Sequence, residues 1–186
     1  MSTAAPTGLI TAEQFAEMSF DGPVELVRGE IVEMTRPDKP HGSVCGRVAL
    51  PLMQWAYPSS KGEVVTNDAC VFTERSPDTV RGPDVAFYSS QQLGGQKLRP
   101  HQDELVPVLC IEVLSPSNHW GEMRAKIDEY FAAGVREVWI VDPQSRTVDV
   151  CRNGIQHVLH RSHQNLTSRE LPGFEFPVSD FFAGIE

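Results

Sequence analysis

The stretch from Val106 to Val141 constrains the fold more than any other part of the chain. It reads as an apolar strand, VPVLCIEVL, then an amphipathic helix, GEMRAKIDEYFAAG, then a second strand, EVWIV. In the helix, Met123, Ile127, Tyr130 and Phe131 fall at i, i+4, i+7 and i+8 along one face, and Gly134 supplies the stop. Such a unit crosses over right-handedly and lays its two strands parallel in one sheet. The fold class expected is therefore α/β or α+β around a mixed β-sheet flanked by helices.

The rest of the chain adds strands and helices to this unit. Thr11 to Met18 predicts a short helix, because Thr11 and Gln14 form a capping box. The arms Val24 to Val27 and Ile31 to Met34 alternate apolar residues around Arg28-Gly29, the pattern of an N-terminal β-hairpin. From His41 to Tyr57, Val44, Val48, Leu52 and Trp55 recur at helical spacing despite Pro51. Glu63 to Thr66, Ala69 to Phe72, Asp84 to Tyr88 and Thr147 to Cys151 read as further strands. No repeat, low-complexity tract or linker divides the chain, so one domain over residues 1–186 is expected.

Composition narrows the function classes. The four cysteines are widely separated with no C-x-x-C pair, which removes the usual basis for a zinc ribbon or a redox motif and suggests a reducing, cytoplasmic setting. The N-terminus lacks the pattern of a secretory signal, and no apolar run is long enough for a membrane span, so no membrane partner is expected. With 16 Lys+Arg against 25 Asp+Glu the formal net charge is −9, unlike a generic basic nucleic-acid coat. A phosphate-bearing partner would need a local basic groove or a bound cation.

Glu112 is the most informative oddity, a carboxylate in the middle of an otherwise apolar strand. Without a partner it would cost several kcal/mol, so a cation, a strong donor or a wet cleft must lie beside it. A structural salt bridge would satisfy the same need. Asp84 opens an apolar strand in the phrase RGPDVAFY, where it is either turn chemistry or a second acidic ligand. Two carboxylates on neighbouring strands offer hard oxygen ligands to Mg²⁺ or Mn²⁺. Lys126 falls about 40° from Tyr130 on the helix. Its stem either passes over the core toward the sheet or pairs with Glu122 on the surface. His157, His160 and His163 are read as part of a solvated loop. Cys110 shares a strand face with Glu112 and is read as a core residue. There is no G-x-S-x-G elbow, phosphate-binding P-loop or G-x-G-x-x-G fingerprint.

Taken together, VELVRGEIVEM, HGSVCGRVA, RGPDVAFY, IEVLSPSNHWGEMRAKIDEYFAAGVREVWIVDP and LPGFEFPVSDFF resemble the Uma-two family of restriction-endonuclease relatives, in this order and over nearly the whole chain. The resemblance implies the PD-(D/E)XK nuclease fold. Pro83-Asp84 matches the PD element and Glu112 the acidic residue of the second half-motif. Leu114 stands where the usual lysine would be, and the family pattern implies that Lys126 on the next helix takes its place. Glu25 and His41 match recurrent polar positions and are accessory catalytic candidates. Asn118 replaces an Asp common in the family.

The activity implied is metal-dependent hydrolysis of DNA phosphodiester bonds. Asp84, Glu112 and the backbone carbonyl of Val113 would hold Mg²⁺ or Mn²⁺, while Lys126 orients water or stabilises developing charge. Arg28, Arg81, Arg99 and Arg124 are candidates to line a DNA groove. Sheet edges and apolar surface suggest a homodimer. One rival reading is a non-catalytic DNA- or protein-binding module on the nuclease scaffold, motivated by Leu114 and the negative charge. Another is a carboxylate-pair glycosidase, for which 8% aromatic residues leave little to stack on sugars.

Overall fold

The computed structural model describes residues 8–99, 104–116 and 120–185. Asn118, singled out above, lies outside them. The chain begins with a capped helix, α1 (Ala12–Glu17), in which the Thr11 and Gln14 side chains cap each other's backbone N–H groups as the sequence predicts. The expected hairpin follows as β1 (Val24–Val27) and β2 (Glu30–Glu33). Its two-residue turn places both Arg28 (φ 51°) and Gly29 (φ 78°) in the left-handed region, the backbone that suits the twist of a tight hairpin. The Arg28 N–H donates to Thr79 Oγ1 at 3.0 Å, so the turn is also fixed from outside.

The predicted long helix is α2 (Lys39–Ala56). It starts two residues earlier than the expected His41, because the Asp38 side chain caps the His41 N–H and Pro40 suits the first turn. Then come β3 (Gly62–Thr66), β4 (Val71–Glu74), β5 (Thr79–Arg81), β6 (Val85–Ser89), the short helix α3 (Ser90–Leu93) and β7 (Leu109–Val113). The crossover helix α4 (Trp120–Ala133) leads into β8 (Glu137–Asp142), β9 (Thr147–Arg152), β10 (Ile155–Arg161), β11 (Asn165–Thr167), β12 (Glu175–Pro177) and α5 (Val178–Phe181). His157 and His160 thus stand on a strand, not in the loop expected for them, because β10 pairs along β9 from Ile155 to Arg161.

The central sheet runs β10-β9-β8-β7-β6-β3. The β7/β8 pair is parallel, as the crossover requires, and its neighbours are antiparallel, so the sheet is mixed. Alternation along β7 divides the core in two. Leu109, Ile111 and Val113 pack toward Val44, Val48 and Leu52 of α2. Cys110 turns the other way, toward Met123, Ile127 and Tyr130 of α4. Glu112 therefore shares the α4 face, and Tyr130 and Lys126 of that helix stand over it. A second sheet, β2-β1-β5-β4, carries α1 on a small core of Ile10, Phe15, Leu26 and Val80. Its strand β4 packs against α4, which brings the hairpin to the same end of the central sheet as Glu112.

Candidate active site

Asp84 stands one residue before β6, and the β6/β7 pairing sets Val85 opposite Ile111. The Val113 N–H donates to Asp84 Oδ2 at 2.7 Å, tying the acid to the end of β7. From α2, His41 Nε2 lies 3.0 Å from the Val113 carbonyl oxygen and 3.4 Å from Asp84 Oδ1. Hydrogen bonding to Asp84, helped by Cys45, pushes the His41 imidazole up to about 11. Cys45, one helical turn further along, has its sulfur 3.5 Å from His41 Nδ1. The donor atoms of His41, Cys45 and Asp84 all lie within 4.8 Å of one another.

Glu112 lies at the same end of the sheet, where the β6/β7 register brings it beside Asp84, and is 5% exposed. Its carboxylate accepts from Tyr130 Oη at 2.6 Å and from Lys126 Nζ at 3.0 Å. Burial pushes the acid up to about 7 against the attraction of Lys126, and the Asp84 charge adds to the rise. Lys126 is itself 8% exposed, so the surface pairing with Glu122 weighed from sequence gives way to a buried position. Its stem crosses the apolar stripe, and the ammonium also meets Glu25 Oε1 at 2.8 Å. Burial opposes that charge, but Glu112 and Glu25 outweigh it and hold Lys126 above its ordinary value. It is a cation and a donor at neutral pH.

Glu25 of β1 holds the second sheet to the site. It also accepts from Arg81 Nη1 at 2.8 Å and from the Gly82 N–H at 3.0 Å. Burial raises the acid, yet the Lys126 charge and these donors hold it below its usual value. Arg81 completes the set with a bidentate contact to Glu129 of α4, at 2.6 and 2.9 Å. Its guanidinium lines the cleft of the site while paired with these two carboxylates.

A cleft of about 880 Å³ opens over this array. Glu25, His41, Asp84, Glu112, Val113 and Lys126 all line it, so the six residues singled out from sequence meet in one place. Arg28 reaches this cleft, Arg124 lines a separate hollow, and Arg99 is exposed elsewhere. Sequence reasoning missed Tyr130, Cys45 and Asp68. Tyr130 reads as part of the apolar stripe, and only its position one turn beyond Lys126 hints at a polar role. Asp68 lies in a loop, where burial and the Asp84 charge raise its carboxyl.

The donor set fits a hard divalent cation. Asp84, Glu112 and the Val113 carbonyl present oxygen atoms at one end of the sheet, and the acids Asp68 and Glu25 stand nearby against Lys126 and Arg81.

Comparison with known proteins bears on the family and the fold. The sequence model of the Uma2 family, described as "putative restriction endonuclease", matches residues 12–179. The fold matches the crystal structure of a protein described as a putative nuclease of the DUF820 family from Anabaena variabilis ATCC 29413. That match has a TM-score of 0.77 at 18% identity and covers 93% of this chain and 97% of the other. No curated protein matches the sequence.

Proposed function

The chain belongs to the Uma2 family of restriction-endonuclease relatives, and from that premise we propose that it is a metal-dependent endonuclease hydrolysing DNA phosphodiester bonds in the cleft over β6 and β7. The observation that carries the proposal is the reach of Lys126 from α4 to Glu112, at 3.0 Å. It puts a cation beside the second acid although Leu114 stands where the motif lysine would be.

Asp84, Glu112 and the Val113 carbonyl would hold Mg²⁺ or Mn²⁺. When bound, such an ion supplies a Lewis acid for a phosphate oxygen and lowers the pKa of water. The chain's own groups do the rest. The Val113 N–H fixes one oxygen of Asp84, and Tyr130 and Lys126 fix Glu112, so the acids need little reorganisation to receive a ligand. Lys126, held protonated, acts as a donor to the developing negative charge and not as the base. Glu25 positions Lys126, since it meets the ammonium at 2.8 Å and is itself held by Arg81 and Gly82. In the reaction, water oxygen bonds to phosphorus, one P–O ester bond breaks, and the water proton leaves to solvent or to the departing oxygen. Cutting both strands needs two clefts, so a homodimer acting on DNA in the cytoplasm is part of the reading.

The test is nicking of supercoiled plasmid and cutting of single-stranded DNA in Mg²⁺, Mn²⁺ or EDTA, with sizing of the protein in solution. Activity should require the cation, and Asp84→Ala, Glu112→Ala and Lys126→Ala should each lower it by about 10²-fold or more. Cleavage that persists in EDTA and in all three variants would refute the assignment. DNA binding that survives Asp84→Ala, without cleavage by the wild type, would favour a non-catalytic module.

A further inference from the structure

A second set of donors lies away from the cleft, on the outer strands of the central sheet. Asp149 and Cys151 alternate onto one face of β9, the face that carries Cys151 into the core beneath α4. The β9/β10 register shifts between Ile155 and Val158, a bulge that contains His157 and turns its ring toward that pair. His157 Nδ1 lies 3.4 Å from Cys151 Sγ and 3.3 Å from Asp149 Oδ2. All three donor atoms fall within 4.8 Å of one another.

We propose that Asp149, Cys151 and His157 form a zinc site with three protein ligands and a fourth position open to the adjoining hollow. A tetrahedral zinc ion, with bonds of about 2.0–2.3 Å, sets neighbouring N, O and S donors about 3.3–3.6 Å apart. The two distances to His157 match that spacing before any ion is added. Thiolate, imidazole and carboxylate together select a borderline-soft metal over Mg²⁺, which separates this site chemically from the oxygen-rich cleft.

An independent observation points the same way. Asp149 Oδ1 is buried with no hydrogen-bond partner, the one such side-chain atom among the described residues. A buried carboxylate oxygen without a donor is costly, and a cation beside the group removes the deficit. Asp149 and His157 face a hollow of about 440 Å³ lined also by Trp120, Arg124, Asp128 and Asn153, which gives an entering ion its path and leaves room for a water or an anionic fourth ligand. Cys151 would bind as thiolate, its proton passing to solvent. The ion would tie edge strand β10 to β9.

The test uses the full-length protein after chelation, with Zn²⁺ or Co²⁺ added alone. Co²⁺ should give thiolate-to-metal charge transfer and the intense visible bands of a tetrahedral site. Zn²⁺ should raise the unfolding temperature. Both responses should survive Cys45→Ser and Asp84→Ala, which alter the only other Cys–His–Asp group among the described residues. His157→Ala, at a half-exposed residue whose loss leaves the core intact, should weaken Zn²⁺ binding by about 10- to 100-fold or more, as should Cys151→Ser. No charge-transfer band in the wild type, an unchanged band in His157→Ala, or its loss in Cys45→Ser would overturn the assignment. None of these readouts depends on nuclease activity.

Discussion

Replacing Lys126 by Met keeps the length and apolar character of the stem and removes only the charge. In the native protein that ammonium sits 2.8 Å from Glu25 and 3.0 Å from Glu112, and all three side chains are buried. Deleting one partner of a buried ion pair costs about 3–5 kcal/mol, because the remaining charge keeps its desolvation penalty. Two features lower the figure here. Glu25 retains Arg81 and the Gly82 N–H, and Glu112 retains Tyr130 and can take up a proton, since burial already pushes it up to about 7. A loss of about 2–4 kcal/mol near pH 8 is expected from that reasoning, or roughly 4–16 °C in unfolding temperature for a chain of this size. The sign of the pH dependence follows from Glu112. Without Lys126 its folded-state pKa rises further, so the protonated form predominates in mildly acidic solution and the penalty shrinks there. Thermal unfolding in EDTA at about pH 5.5 and pH 8 should therefore show a larger deficit at the higher pH. Glu112→Gln combined with Lys126→Met should be less destabilising than the sum of the two changes. Equal unfolding temperatures for wild type and Lys126→Met at both pH values, or strict additivity with Glu112→Gln, would refute the placement of the ammonium between the two acids.

Three other outcomes follow from the same contacts. Burial raises Glu112 from 4.5 to about 7 in the folded protein, so its contribution to stability is full below about pH 4.5 and is lost as pH climbs through 7. In urea titrations with EDTA, Glu112→Gln should lack that decline, and an unchanged slope between those values would count against it. Gly62 has φ 154°, and a Cβ there would run into the Tyr88 carbonyl oxygen and the Phe87 ring, so Gly62→Ala should cost about 3 kcal/mol or more by chemical denaturation. Glu137 is fully buried between Arg152 Nε at 2.6 Å and Trp139 Nε1 at 2.7 Å. Arg152→Met should destabilise by about 3–5 kcal/mol while leaving the cleavage rate of the folded protein at the wild-type level.

The parts of this fold that were legible are those whose pattern is local. The capping box of α1, the Arg28-Gly29 turn and the crossover from β7 through α4 to β8 each announce themselves in a few consecutive residues. The strands that escaped notice depend on partners. β5 is three residues held between β1 and β4, and β10 is exposed along nearly its whole length, so no burial alternation marks it. Hydrogen bonds to β9 make it a strand, and those depend on a neighbour rather than on β10's own sequence. Asp149, Cys151 and His157 were invisible as a group for the same reason, because a bulge, not a spacing, brings them together.

The lysine shows how far the local pattern reaches into the site. A residue two positions beyond Glu112 would share its strand face, which explains why the familiar motif keeps acid and lysine on one strand. Here β7 ends at Val113, and Leu114 lies beyond it. The face of Glu112 is covered by α4, so a side chain descending from that helix can reach the same space from above. Tyr130, one turn after Lys126, descends beside it to the same carboxylate. A helix donor brings two hydrogen-bonding groups to one acid where a strand position would bring one, and it lets Glu25 of the hairpin hold the ammonium from the far side. The second sheet thereby becomes part of the candidate site, since Glu25 orients Lys126 and Arg81 links Glu25 to α4 through Glu129. A lysine on α4 is positioned by the packing of β4 against that helix and by Glu25 of β1. A change that loosens these contacts should therefore lower stability and, on the proposed function, cleavage together.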